Sequence, residues 1–136
     1  MFVDFNITEV DSDPNYLMVA NLSDNSTANR LGFARNPNAG IHIYVIASST
    51  SQFTFNTTQT TGRFKLAITY KANDYAIYLN GTSIYTNTSA SVPSSMSRFD
   101  LGELLTIGLQ SKSTINQAVI FPTRLTNAEL ASLTTI

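Results

Sequence analysis

The segment Phe64–Tyr85, FKLAITYKANDYAIYLNGTSIY, constrains the fold more than any other part of the chain. Phe64, Leu66, Ile68 and Tyr70 alternate with Lys65, Ala67 and Thr69, the period of two expected of a strand with unlike faces. Lys71 to Asp74 supplies a polar turn, and a second alternating run covers Tyr75 to Leu79. Asn80-Gly81 comes next. The pair accepts positive φ at low cost, so it predicts a type I′ hairpin, with the strand resuming over Thr82–Tyr85. A hairpin specified this closely points to an antiparallel β protein.

The same patterning places further strands near 2–7, 16–22, 30–35, 41–47, 52–57, 104–109 and 115–121, with the central ones at 64–70, 75–79 and 82–86. Turn chemistry separates them: Asp11-Ser12-Asp13-Pro14-Asn15, Asp24-Asn25-Ser26, Asn36 to Gly40, and Ser89 to Ser97 with Pro93. Many short strands at near-regular spacing predict a sandwich or barrel. One short helix is predicted from Thr126 to Leu133. Thr126 and Glu129 form a capping box, and Leu125 and Leu130 occupy the positions of a hydrophobic staple.

Leu66-Ala67-Ile68-Thr69-Tyr70, then Tyr78-Leu79-Asn80-Gly81, then Arg124-Leu125-Thr126-Asn127-Ala128-Glu129-Leu130 carry a family resemblance. The chain resembles the laminin-G/pentraxin branch of the concanavalin A-like lectin fold. Tyr16–Leu22, Arg30–Arg35 and Ile41–Ala47 are similar to that family's middle strands, and Leu125 departs from its pattern by following Arg124 directly. The resemblance implies an all-β, two-sheet antiparallel jelly-roll sandwich (concanavalin A-like) with one short C-terminal helix. It also implies a single lectin-like domain over 1–136, excised from or part of a longer chain, because relatives carry another strand before the Phe2–Ile7 segment.

Charged residues make up only 12% of the chain, about half the usual share of roughly 25%, and Ser, Thr and Asn fill the gap. A net charge of -1 offers no basic stripe for phosphates, which argues against nucleic acid. No apolar run approaches the roughly 20 residues that span a bilayer, so no membrane insertion is expected. The chain has no cysteine and therefore is not a disulfide-bonded secreted protein. Six N-x-S/T triplets, at Asn6, Asn21, Asn25, Asn56, Asn80 and Asn87, are what an Asn/Ser/Thr-rich chain generates by chance. Together these features suit a bacterial or phage protein, and by association a virion-surface or extracellular one.

Glycoside hydrolysis needs two carboxylates about 5–10 Å apart. The chain holds three Glu (Glu9, Glu103 and Glu129) and no acidic pair within a strand, and Glu129 is explained by the capping box. There is no G-x-S-x-G motif and a single histidine, His42, which sits in an alternating strand with Tyr44 and Ile46. No enzymatic activity is expected. No cofactor is expected either: Ca²⁺ has loop candidates in Asp11-Ser12-Asp13 and Asp24-Asn25, but neither forms a complete calcium loop, and these residues are ordinary in turns.

A sugar site combines an aromatic face with planar polar groups. Tyr16, Arg35, His42, Tyr44, Asn73 and Asp74 are the candidates, although strand tyrosines also pack across strands and Asn73-Asp74 also makes a turn. Arg98 and Arg124 are expected to make structural hydrogen bonds. Two functions compete: a carbohydrate- or receptor-binding module of a phage tail fibre, whose partner is a cell-surface glycan, and a decoration, head-fibre or capsid-cement protein that contacts other virion proteins. Either suits a homo-oligomer, a trimer by analogy with phage fibres, with the absent first strand leaving a sheet edge for a neighbour to cover.

Overall fold

The computed structural model describes residues 1–10, 12–105 and 108–136. Among the described residues, ten strands precede one helix: β1 (Phe2–Ile7), β2 (Leu17–Ser23), β3 (Arg30–Arg35), β4 (Ile41–Ala47), β5 (Thr50–Asn56), β6 (Gly62–Ile68), β7 (Tyr75–Leu79), β8 (Thr82–Asn87), β9 (Arg98–Leu101), β10 (Ser113–Val119) and α1 (Asn127–Thr134). They form two five-stranded antiparallel sheets, in the orders β10-β1-β6-β7-β8 and β5-β4-β3-β2-β9. Each sheet anchors one compact unit of the chain. No helix is long and apolar enough to cross a membrane.

In the first unit, β6 and β7 pair as expected, with Leu66 opposite Leu79, Ala67 opposite Tyr78 and Ile68 opposite Ile77. Leu79 then faces Thr82 across a two-residue turn. Asn80 and Gly81 both have positive φ, 48° and 84°, as a type I′ turn requires. Alternation gives this sheet two buried faces. Phe5, Phe64, Leu66 and Ile77 are fully buried on one, where the Phe5 and Phe64 rings stack 5.0 Å apart. Phe2, Ala67, Ala76 and Tyr78 lie on the other, against Leu130 of α1.

The helix forms for local reasons. Thr126 Oγ1 accepts from Glu129 N–H, and the Glu129 carboxylate accepts from Thr126 N–H, which closes the capping box. Gly81 N–H donates to Thr134 Oγ1 at 3.1 Å, tying the hairpin turn to the end of α1. A helix this short is marginal alone, so the buried Leu130 must hold it in place.

Three expectations change. No strand covers 104–109; Thr106 and Ile107 lie outside the described residues, and Leu104, Leu105, Gly108 and Leu109 belong to no strand. The run LLTIGL reads as extended, but Leu105 takes a φ of 58°, which breaks the extended backbone. The last strand of the second sheet is instead β9, paired with β2. The strand Phe2–Ile7 is also not a vacant edge. It lies between β10 and β6, so the edges of its sheet are β10 and β8.

Two outcomes follow for the first unit. Leu130→Ala should cost about 2–5 kcal/mol by urea unfolding, and Thr126→Ala about 1 kcal/mol through the lost cap. The second concerns acid. Asp4 accepts two bonds from Arg63, at 3.0 and 2.6 Å, and one from Asn116 at 3.1 Å. The Arg63 bonds hold the Asp4 carboxyl below its ordinary value despite burial. A depressed carboxylate stabilises the fold above its unfolded value and loses that contribution as pH falls through the folded one. Parent and Asp4→Asn thermal midpoints should therefore converge as pH falls below about 4.

Candidate functional site

The second unit carries the site on one face of its sheet. Leu31 and Phe33 of β3, with Ile41, Ile43 and Val45 of β4, are completely buried on the opposite face. That leaves Arg30, Gly32 and Ala34 of β3, and His42, Tyr44 and Ile46 of β4, on the site face. A bulge between Met18 and Ala20 resets β2, so that Met18 pairs with Ala34 while Asn21 pairs with Gly32. β9 then places Asp100 opposite Asn21.

A row of residues thus crosses the sheet: Asp100, Asn21, Gly32, Tyr44. Tyr44 lies along it. Its hydroxyl passes over β3 and donates to Asn21 Oδ1 on β2 at 2.8 Å. This path exists because residue 32 has no side chain; a Cβ there would sit 2.5 Å from both Tyr44 Oη and the Ala20 carbonyl oxygen. Asn21 Nδ2 donates onward to Asp100 Oδ2 at 3.5 Å. Arg98 Nε donates to Asp100 Oδ1 at 2.6 Å. Burial pushes the Tyr44 phenol well above its ordinary range; Arg30 opposes this shift and Asp100 adds to it. Tyr44 therefore stays protonated and remains a donor to Asn21.

Above this floor is a cavity of about 260 Å³. Tyr16, His42 and Tyr44 line it with Arg30, Ser51 and Thr54, and Met18, Ala34, Ile46, Leu104 and Leu109 complete an apolar wall. The ring centroids of Tyr16 and His42 are 4.8 Å apart, and those of His42 and Tyr44 5.9 Å. His42 Nδ1 lies 3.0 Å from Asn56 Oδ1. An amide oxygen only accepts, so the proton sits on Nδ1, and in the neutral ring Nε2 is an acceptor. The Arg30 guanidinium carbon stands 5.4 Å from the centre of the Tyr44 ring. Its Nε is buried without a hydrogen-bond partner among the described residues, and no carboxylate of the described residues pairs with it.

The wall is anchored as well. Leu105 N–H donates to Asp100 Oδ2 at 3.3 Å, and Arg98 Nη2 donates to the Leu105 carbonyl, which fixes the segment next to Leu104. Met18 N–H donates to the Leu109 carbonyl at 2.6 Å.

Of the residues singled out in the sequence, Tyr16, His42 and Tyr44 come together here. Arg35 does not line the cavity. It is buried on the face of Leu31 and Phe33, and its Nη2 donates to the Asp13 carbonyl at 2.9 Å, holding the loop that leads to Tyr16. Asn73 and Asp74 belong to the turn between β6 and β7 in the first unit, where Asp74 accepts from Arg124 at 2.8 Å. Arg124 and Arg98 make the structural bonds expected of them. Arg30 was missed, although alternation within β3 carried the signal: Leu31 and Phe33 claim the core face, which leaves Arg30 on the other. Of the calcium candidates, Asp11 lies outside the described residues. Asp24 spends both oxygens within its loop, on Ser26 and Asn29. Among the described residues no three His, Asp or Glu side chains form a metal-binding group.

A smaller cavity of about 70 Å³ lies in the first unit beside Phe2, Phe121 and Leu130, with room for a few waters.

No protein family and no curated protein matches the sequence. Solved structures do match. The CBM40 module of the Ruminococcus gnavus IT-sialidase, bound to α2,3-sialyllactose, has a TM-score of 0.69 at 12% identity, over 99% of this chain and 80% of that one. The same module bound to α2,6-sialyllactose gives 0.67 at 10% identity, over 98% and 80%. A Trypanosoma rangeli sialidase in complex with 2,3-difluoro-KDN gives 0.70 at 13% identity, over 98% of this chain and 22% of that one.

Removing the Tyr44 hydroxyl should cost about 1–3 kcal/mol, because Asn21 Oδ1, wholly buried, loses its donor. Urea unfolding of Tyr44→Phe measures this. At these identities the comparisons establish the fold alone, a two-sheet antiparallel jelly-roll sandwich.

Proposed function

We propose that this chain is a non-catalytic carbohydrate-binding module, that the cavity over Tyr44 is its site, and that its ligand is an acidic glycan. One observation carries the reading. Arg30 presents a guanidinium inside a largely apolar cavity, against an aromatic ring, with no carboxylate partner among the described residues. A half-buried charge without a counterion is poorly solvated, and a carboxylate brought by the ligand offsets that cost with short, charge-assisted bonds. Tyr16, His42 and Tyr44 supply faces for the apolar side of a pyranose, while Ser51, Thr54 and His42 supply hydroxyl partners.

Two further points support this reading. The described lining contains no carboxylate that could act as acid or nucleophile, whereas glycoside hydrolysis uses two. The similar CBM40 structures hold sialyllactose, whose sialic acid carries a carboxylate. By composition we place the module on a virion surface such as a tail fibre, where several copies, three by the fibre analogy, would multiply a modest single-site affinity. A capsid-cement role would not call for a cavity lined by three aromatic rings and a cation.

Isothermal titration with sialyllactose and with neutral lactose tests the proposal. The parent should bind the first and not the second. Arg30→Gln should weaken sialyllactose binding by about 10- to 100-fold, the value of charge-assisted bonds, without lowering the unfolding midpoint. Equal binding of the two sugars would remove the acidic ligand from the proposal.

A further inference from the structure

We infer that the cavity is the inner of two subsites and that Tyr16 is the platform of the outer one, so that the module reads at least two linked sugars. The inference rests on the carbohydrate reading above. Three rings rise in steps from the floor to the rim. Tyr44 is 8% exposed, His42 is intermediate and Tyr16 is 46% exposed. Each ring touches the next, at 5.9 and then 4.8 Å between centroids. The cavity, at about 260 Å³, falls below the range of about 300–1,000 Å³ that encloses drug-sized ligands. One sugar ring fills it, and the next must leave over the rim.

Tyr16 is built to meet that second ring. Leu17, immediately after it, pairs with Arg35 at the start of β2. The residues before it are fixed by Asp13 Oδ1, which accepts from both the backbone and side-chain nitrogens of Asn15 at 2.8 Å. The buried Arg35 holds the Asp13 carbonyl. A tyrosine anchored on both sides and still half in water keeps its apolar face available at little entropic cost on binding. The Tyr16 ring is tilted 56° from that of His42, so its plane is not parallel to the inner ring beside it. A second pyranose, angled from the first by its glycosidic bond, stacks on such a face.

The experiment compares two probes by titration calorimetry: the α-methyl glycoside of N-acetylneuraminic acid, a single acidic ring, and α2,3-sialyllactose. The parent should bind the trisaccharide about tenfold more tightly than the single ring, the scale of one aromatic stacking contact. Tyr16→Ala should bring that ratio close to one, and Tyr16→Phe, which keeps the ring, should preserve it. A ratio near one in the parent, or an unchanged ratio in Tyr16→Ala, overturns the outer subsite while leaving the pocket standing. Failure of the parent to bind either probe overturns the pocket and the subsite together.

Discussion

The site face of the second sheet depends on the missing side chain at Gly32. Tyr44 starts on β4 and ends, through its hydroxyl, on β2, with β3 between them. Any Cβ at position 32 would collide with the tyrosine oxygen and with a backbone carbonyl. The carbonyl cannot swing aside as a flexible side chain would. A lifted Tyr44 would fill the cavity from below, part from Asn21 and withdraw the ring from beneath Arg30. One glycine therefore sets the floor, the polar network and the environment of the cation.

Three of the five arginines pair closely with a carboxylate. Arg63 meets Asp4 at 2.6 Å, Arg98 meets Asp100 at 2.6 Å, and Arg124 meets Asp74 at 2.8 Å. Arg30 meets the Tyr44 ring instead. A cation over an aromatic face gains about 0.5–2 kcal/mol, enough to orient the half-buried guanidinium. The ring sets its position, and no carboxylate of the described residues pairs with it. On the proposed reading, recognition by Arg30 would not switch off between mild acid and mild base, because Arg is protonated at any ordinary pH.

Much of this was legible in the sequence, for identifiable reasons. The hairpin at Asn80-Gly81 and the capped helix are local devices, each specified by neighbouring residues, and both formed as read. His42 and Tyr44 were placed on one face by alternation alone. Tyr16 joined them because a strand start lies beside them. What failed depended on distant partners. β9 is four residues long with two charged side chains, and it becomes a strand only because Arg98 and Asp100 satisfy each other while pairing along β2. The 104–109 segment carried an apolar run without periodicity, and Leu104 and Leu109 serve as a cavity wall. Arg35 and Arg30 look alike in sequence, yet they lie five positions apart on one strand, which puts them on opposite faces.

The polar row also explains why the floor of the cavity is not simply apolar. Asn21, Ser23 and Asp100 are buried, and a well-packed apolar set could match their contribution to stability. Apolar packing is non-directional, however, and would hold the Tyr44 ring without fixing where its hydroxyl points. Hydrogen bonds have direction. Asn21 fixes the Tyr44 hydroxyl, Asp100 fixes Asn21, and the same Asp100 carboxylate grips the Leu105 amide beside the wall. Floor and wall are thereby referred to one buried carboxylate, which is itself held by Arg98. On the proposed reading, presenting aromatic faces and one cation in fixed relation to a rigid sugar needs such a common reference. The other sheet faces no such demand at Phe2, Ala67, Ala76 and Tyr78, and it covers them with the apolar side of a helix.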